Sequence, residues 1–208
     1  MGSALIVDDH PVVVSAVRLV LESLGYKPVY VTSDSSEVVS LVRLYEPDLM
    51  VLDLNLPGPG GLETLEHLKK VGLSCKVVVF STANPDQFLM RCRRAGAMAF
   101  VTKSAELQQL QSAIKAVRAG YSYFLDLPNV TAGQTELHSD EGKLIASLSD
   151  RELQILIELA RGISNKQIAE DMNRSHKTIS TYKTRLMLKL GIKSSVVLRE
   201  FAIRNHLL

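Results

Sequence analysis

Five short apolar runs recur along the first hundred residues, at about 4–8, 28–32, 48–53, 76–81 and 98–102, each rich in Val, Leu or Phe. Each is followed by a helical pattern, and nothing else in the chain limits the fold so tightly. Runs of this length are strands rather than helices, and their continuous apolar character marks strands covered on both faces. A parallel strand needs a crossover of a dozen or more residues to reach its neighbour, which the intervening helices supply. Residues 1–120 are therefore predicted to form an α/β domain, a doubly wound, five-stranded parallel sheet with right-handed crossovers. Helix punctuation falls where this reading needs it. Pro11 opens the first helix and Gly25 closes it; Ser33 or Asp34 caps the second; Gly60-Gly61 precedes the third. Asn84-Pro85 opens the fourth, and Ser104 caps the fifth, which ends at Gly120.

Two of the runs end on carboxylates. Ala4-Leu-Ile-Val7 leads into Asp8-Asp9, and Leu49-Met-Val-Leu52 leads into Asp53. Open α/β sheets bind ligands outside the carboxyl ends of their strands, so neighbouring strands would bring the three acids into one pocket. Like charges packed that closely need compensation, and a hard divalent cation such as Mg2+ supplies it. Asp53 is the candidate phosphoryl acceptor, since a carboxylate nucleophile needs a cation beside it to neutralise the incoming phosphoryl oxygens. Asp8 and Asp9 would hold the metal, directly or through water, and Asn55 would add its backbone carbonyl. Ser81 and Lys103 end the fourth and fifth runs, placing a hydroxyl and a point charge suited to phosphate at the same crevice. Loop-capping acids are the plainer explanation of Asp8, Asp9 and Asp53, but it leaves Ser81 and Lys103 unaccounted for. His10 is read as a loop residue, not a ligand.

Between residues 121 and 147 the pattern breaks. Pro128, Gly133, Gly142 and several Ser, Thr and Asn residues interrupt any period, which predicts a linker with some local helix near its end. Residues 148–208 are helical throughout in signature, a predicted all-α, four-helix domain. Ser149 and Glu152 form a capping box ahead of the stripe Leu153, Leu156, Ile157 and Ala160. Ser164 and Gln167 repeat the device before a short helix bearing Ile168, Ala169 and Met172, and Ser175 opens a longer basic helix that runs to Leu190. A fourth helix covers about 195–205. Short helix, tight turn and longer basic helix make a helix-turn-helix. On the long helix Lys177, Ser180, Thr181 and Thr184 share one face, while Ile179, Leu186 and Leu190 lie on another.

Charge separates the halves. Up to Asp126 there are 12 Lys and Arg against 13 Asp and Glu; from Leu148 onward there are 11 against 6. A surplus confined to one domain suggests that this domain meets a polyanion. Cys75 and Cys92 have no metal or redox spacing and read as reduced thiols. No apolar run approaches the ~18–20 residues that span a bilayer, and no signal-peptide core is evident, so a cytoplasmic protein with no membrane partner is expected.

Asp8-Asp9-His10-Pro11, Asp53, Leu56-Pro57, Ser81 and Phe100-Val-Thr-Lys103 together resemble the receiver domain of two-component response regulators, which implies a flavodoxin-like sheet. Within them, Asp-Asp-His-Pro points to the NarL/FixJ group. Leu148-Ser-Asp-Arg-Glu152, Gly162-Ile-Ser-Asn-Lys-Gln-Ile-Ala169 and Ser175-His-Lys-Thr-Ile-Ser-Thr-Tyr-Lys183 resemble the LuxR-type DNA-binding domain, most of all that of BvgA/EvgA-type regulators. The resemblance implies that a sensor histidine kinase or phosphotransfer domain phosphorylates Asp53, and that Ser81 and Phe100 form a switch pair. It implies that Lys177, Thr178, Ser180, Thr181, Lys183 and Thr184 touch promoter DNA, and that the helix at 195–205 pairs two copies as a homodimer. Three positions depart from the common pattern: Ser at 81 in place of Thr, Thr82 in place of a smaller residue, and Ser104 in place of Pro. None removes a charged ligand, and Thr82 is placed to narrow access to Asp53. A phosphohydrolase built on Asp53 would want a second acid two residues on, where Asn55 stands; the chain is expected not to be an enzyme. A receiver that serves only to dock a partner, without phosphorylation, is the nearer rival.

Overall fold

Strands and helices alternate through the first part of the chain where the punctuation places them. In the computed structural model, which describes residues 2–56, 60–124, 140–172, 174–205 and 207–208, the order is β1 (Ala4–Val7), α1 (Pro11–Ser23), β2 (Val29–Thr32), α2 (Val38–Tyr45) and β3 (Leu49–Leu52). It continues with α3 (Gly61–Lys70), β4 (Lys76–Ser81), α4 (Pro85–Ala95), β5 (Ala99–Thr102), α5 (Leu107–Arg118) and β6 (Tyr123–Phe124). The chain divides into two compact units, Met1–Leu127 and Pro128–Leu208. Pro57 and the part of the expected linker at 125–139 lie outside the described residues.

All strands of the first unit are parallel, in the order β2-β1-β3-β4-β5-β6. The five expected strands are joined by a sixth. At two residues β6 is too short to leave a periodic signal, and it forms because Tyr123 N–H donates to Met98 O at 2.8 Å, pairing the outer side of β5. One face of the sheet packs Ala4, Ile6, Val51, Val78 and Val101 against Val17 and Leu21 of α1 and Leu110, Ile114 and Val117 of α5. Side chains alternate along a strand. Leu5, Val7, Met50, Leu52 and Val79 therefore point to the opposite face, and they too are buried, with Leu65, Leu68, Phe88 and Leu89 of α3 and α4 also in the core. Two capping expectations shift. Asp34 caps a short 3-10 turn (Ser35–Glu37) rather than α2 itself. Ser104 does not cap α5, whose N-cap is Glu106; the turn closed by Ala105 N–H to Thr102 O leaves Ser104 too early, and its hydroxyl donates to Thr102 Oγ1 instead.

The second unit contains α6 (Asp140–Ser147), α7 (Asp150–Ala160), α8 (Asn165–Asp171), α9 (His176–Leu190) and α10 (Ser195–Arg204). The four expected helices are thus preceded by α6, which lies where some local helix is expected near the end of the linker. Tertiary contacts hold it: Glu141 pairs with Arg204 at 2.7 Å and accepts from Asn205 Nδ2 at 2.7 Å. Ser149, Ser164, Ser175 and Ser194 each accept a backbone N–H in the first turn of their helix, so all four starts are fixed by side-chain caps. Leu153, Leu156, Ile179, Leu186, Leu198 and Phe201 fill the space between α7, α9 and α10. Beneath the capping box, Lys189 Nζ lies 2.6 Å from Glu152 Oε2. Among the described residues, no helix is long and apolar enough to cross a membrane.

Candidate functional site

Strand order decides where the acids meet. Chain order reverses at β1, which has β2 on one side and β3 on the other, and open α/β sheets bind ligands at such a reversal. Val7 pairs with Leu52, and Asp53 N–H donates to Val7 O at 2.9 Å, so Asp8 and Asp53 leave their strands at the same level. Both are buried, at 4% and 2% exposure, whereas Asp9 is open to solvent. Lys103, just past β5, reaches back across the crevice: its Nζ lies 2.7 Å from Asp53 Oδ2 and 2.8 Å from Asp8 Oδ2. Burial alone would lower the Lys103 pKa, but the charges and hydrogen bonds of Asp53 and Asp8 outweigh it and hold the pKa above the ordinary lysine value. The ammonium is charged throughout the neutral range, and two buried acids share one cation.

Donor atoms of Asp8, Asp9, His10 and Asp53 lie within 4.8 Å of one another. Three of the four residues offer hard carboxylate oxygens, the donors that a divalent cation of the Mg2+ and Ca2+ class takes. One positive charge from Lys103 leaves the three carboxylates underneutralised, so the set suits a divalent metal in charge as well as in atom type. His10 does more than shape the loop: its Nδ1 lies 2.8 Å from Asp9 Oδ1 and 3.2 Å from Asp8 Oδ1, and its backbone N–H donates to Asp8 Oδ1. Asn55 turns its backbone N–H onto Asp53 Oδ1 at 3.1 Å and its side-chain Nδ2 onto Thr82 Oγ1 at 2.8 Å. That second bond links the loops after β3 and β4 beside the buried carboxylate. Ser81, fully buried, accepts from Ala83 N–H at 3.3 Å, and the Phe100 ring is buried two residues before the end of β5.

Gly61 is the pocket residue that sequence reasoning missed. A Cβ at this position would stand 2.1 Å from Asp53 O and 2.7 Å from Leu54 Cα, so no side chain fits. Its N–H donates to Leu54 O at 3.1 Å, folding the start of α3 back onto the Asp53 backbone. Gly60-Gly61 was legible only as a helix opening. The close approach that requires the second glycine is a tertiary contact.

In the second unit, α9 buries Ile179, Leu186 and Leu190 and turns Lys177, Thr181, Thr184 and Arg185 outward. Of the residues expected to face DNA, Lys177, Thr181 and Thr184 are exposed, while Thr178, Ser180 and Lys183 are half-buried. Lys183 flanks the buried stripe. Ser175, Lys177, Thr178, Thr181, Tyr182 and Arg185 line one shallow surface groove. Arg185 did not figure in the sequence reading; counting on from Lys177 and Thr181 by one more helical step of four would have found it.

Residues 4–115 match the response regulator receiver domain, and residues 146–202 match the luxR family of bacterial regulatory proteins. The chain is a response regulator. It joins a receiver to a LuxR-type DNA-binding domain, and its relatives are transcriptional regulators along their whole length. The regulator is 43% identical over 208 residues to a transcriptional regulator of Pseudomonas aeruginosa, with 100% of both chains covered. It is 41% identical over 209 residues to the virulence-factor transcription regulator BvgA of Bordetella pertussis, with 99% of both covered. To the DNA-binding transcriptional activator EvgA of Escherichia coli K12 it is 36% identical over 205 residues, again with 99% of both covered. Among solved structures it is similar to RcsB of Salmonella enterica serovar Typhimurium bound to promoter rprA in the presence of the phosphomimetic BeF3-. That likeness has a TM-score of 0.57 at 25% identity and covers 97% of this chain and 98% of RcsB.

Proposed function

We propose that the regulator accepts a phosphoryl group on Asp53 from a sensor histidine kinase or a phosphotransfer domain, and that this modification governs its binding to promoter DNA as a homodimer in the cytoplasm. The domains in this reading are a receiver at 1–120, a linker at 121–147 and a DNA-binding domain at 148–208, with β6 at the start of that linker joining the receiver sheet and α6 at its end packing on the helical domain. One observation carries it: a lysine ammonium that spans two buried carboxylates at the topological switch point, 2.7 Å from Asp53 and 2.8 Å from Asp8.

Phosphoryl transfer asks for positioning and charge stabilisation more than for covalent chemistry by the protein. An Asp53 carboxylate oxygen attacks phosphorus as the bond to the donor histidine nitrogen breaks, and that nitrogen keeps the electron pair. Lys103 moves from bridging two acids to pairing with a phosphoryl oxygen, and the Ser81 hydroxyl donates to another. Asp8, Asp9, Asp53 and the backbone carbonyl of Asn55 would hold Mg2+, which supplies Lewis-acid neutralisation of the transferred group. Ser81 and Phe100 are the switch pair, linking the phosphorylated pocket to the surface of the receiver through two adjacent strands. Lys177, Thr178, Ser180, Thr181, Lys183 and Thr184 contact DNA. Exposed Val196 and Ile203, seven residues apart on α10, form a stripe that a second copy would cover. The chain is not an enzyme that turns over a free substrate; its own carboxylate is modified.

Intact-mass analysis after treatment with acetyl phosphate and Mg2+ tests the acceptor. The expected result is a gain of one phosphoryl group that is absent from Asp53→Asn and from samples held in chelator. An unmodified wild-type protein, or equal modification of Asp53→Asn, would overturn it.

A further inference from the structure

We propose that Arg185 is a specificity-determining residue, whose guanidinium reads a guanine edge in the major groove. This rests on the DNA-binding reading above. Four cations stand on α9: Lys177, Lys183, Arg185 and Lys189. Lys189 is committed to Glu152 at 2.6 Å. Lys183 is half-buried beside the stripe of Ile179, Leu186 and Leu190. Lys177 and Arg185 remain, both exposed, with Thr181 midway between them at i+4, so the three form one outward row.

The two exposed threonine hydroxyls on the same face have their protons directed into the helix. Thr181 Oγ1 donates to Lys177 O at 3.0 Å, and Thr184 Oγ1 donates to Ser180 O at 3.0 Å. Ser175 and Thr178 share a bond at 2.8 Å within the N-cap, and Ser180 Oγ accepts from Asn165 Nδ2 at 3.5 Å. Thr181 and Thr184 can still offer methyl groups to thymine, but as donors they are occupied. Arg185 takes part in no hydrogen bond or ion pair among the described residues, and it lines the groove with Lys177, Thr178, Thr181 and Tyr182. The exposed charged donors of the face not held by another side chain therefore reduce to an ammonium and a guanidinium. An ammonium acts as a compact point charge, while the planar fork of arginine matches the paired O6 and N7 acceptors of guanine. Base discrimination on this face falls to Arg185, and Lys177 is left for the phosphates.

The test is a selection from duplexes carrying a randomised central segment, using the full-length protein at fixed salt, for wild type, Arg185→Ala and Arg185→Lys. Wild type is expected to enrich a motif with one strongly required G·C pair per half-site. Arg185→Ala should lose that requirement while keeping the rest of the motif, and should bind the wild-type duplex about ten- to hundred-fold more weakly. Arg185→Lys should recover only part of the discrimination. Circular dichroism of both variants should match wild type, since the replaced side chain holds nothing in the fold. The proposal is overturned if Arg185→Ala keeps the full motif and weakens selected and scrambled duplexes equally with a shallower salt slope, which is the behaviour of a phosphate contact. Unchanged binding would overturn it too. A wild-type protein that enriches no motif would instead remove the DNA-binding reading beneath it.

Discussion

At the scale of single residues, the pocket is a balance of charge. Asp8, Asp9 and Asp53 bring three negative charges, Lys103 returns one, and both buried acids depend on it. Replacing Lys103 with Ala should destabilise the metal-free receiver by about 1–3 kcal/mol, because two buried carboxylates lose their charged partner. Thermal melts with and without Mg2+ check this: the divalent ion should restore more stability to the variant than to wild type, and equal restoration would contradict it. Gly61 matters for volume rather than charge. A Cβ 2.1 Å from Asp53 O has no flexible side chain to push aside, only backbone. Gly61→Ala should therefore cost about 1–3 kcal/mol in denaturant melts and also slow phosphorylation by acetyl phosphate, since the shift falls on Asp53 itself. A variant with wild-type melting and wild-type phosphorylation would show that the loop relaxes freely. The acids, Ser81 and Lys103 were legible because strand ends are marked in sequence and their chemistry is distinctive. Gly61, the Asn55–Thr82 bond and the contacts of His10 were not, because each depends on which loops the sheet brings together.

Secondary-structure elements were readable wherever the cause was local. Pro11, at the first helical position, and the caps Asn84 and the serines at 149, 164 and 175 place helix starts through effects that act within one turn. β6 was not readable, since a two-residue strand has no period, and α6 was readable only as some local helix near the end of the linker, since it is held by Arg204 and Asn205, more than sixty residues away. Glu152 joins the two kinds of cause. It closes the capping box of α7 and receives Lys189 from α9. Burial would raise its pKa, but Lys189 and the Ser149 backbone and hydroxyl outweigh burial and hold it below the usual glutamate value. A carboxylate with a depressed folded pKa adds stability that is present above its unfolded pKa and lost as pH falls through the folded one. The helical domain should accordingly weaken on acidification below the usual glutamate range, and Glu152→Gln should flatten that dependence. Urea melts followed by circular dichroism across the acidic range check it; parallel pH profiles for the two proteins would contradict it.

Over the whole molecule, the sequence already separated a near-neutral α/β half from a basic helical half, and that asymmetry is the outline of the function. A phosphorylated receiver and a DNA-binding domain on one chain make sense if the receiver has two states and the modification favours the one that pairs or releases the helical domains. Two half-sites bound by a dimer then gain affinity through effective concentration, with no new contact to DNA. The most direct measurement is binding to a fragment of the regulator's own promoter at fixed salt, with and without acetyl phosphate and Mg2+, for wild type and Asp53→Asn. Wild type should bind more tightly with the phosphodonor, and Asp53→Asn should show one affinity in both conditions. Equal binding in all four conditions would contradict control through Asp53 and leave the receiver as a docking module.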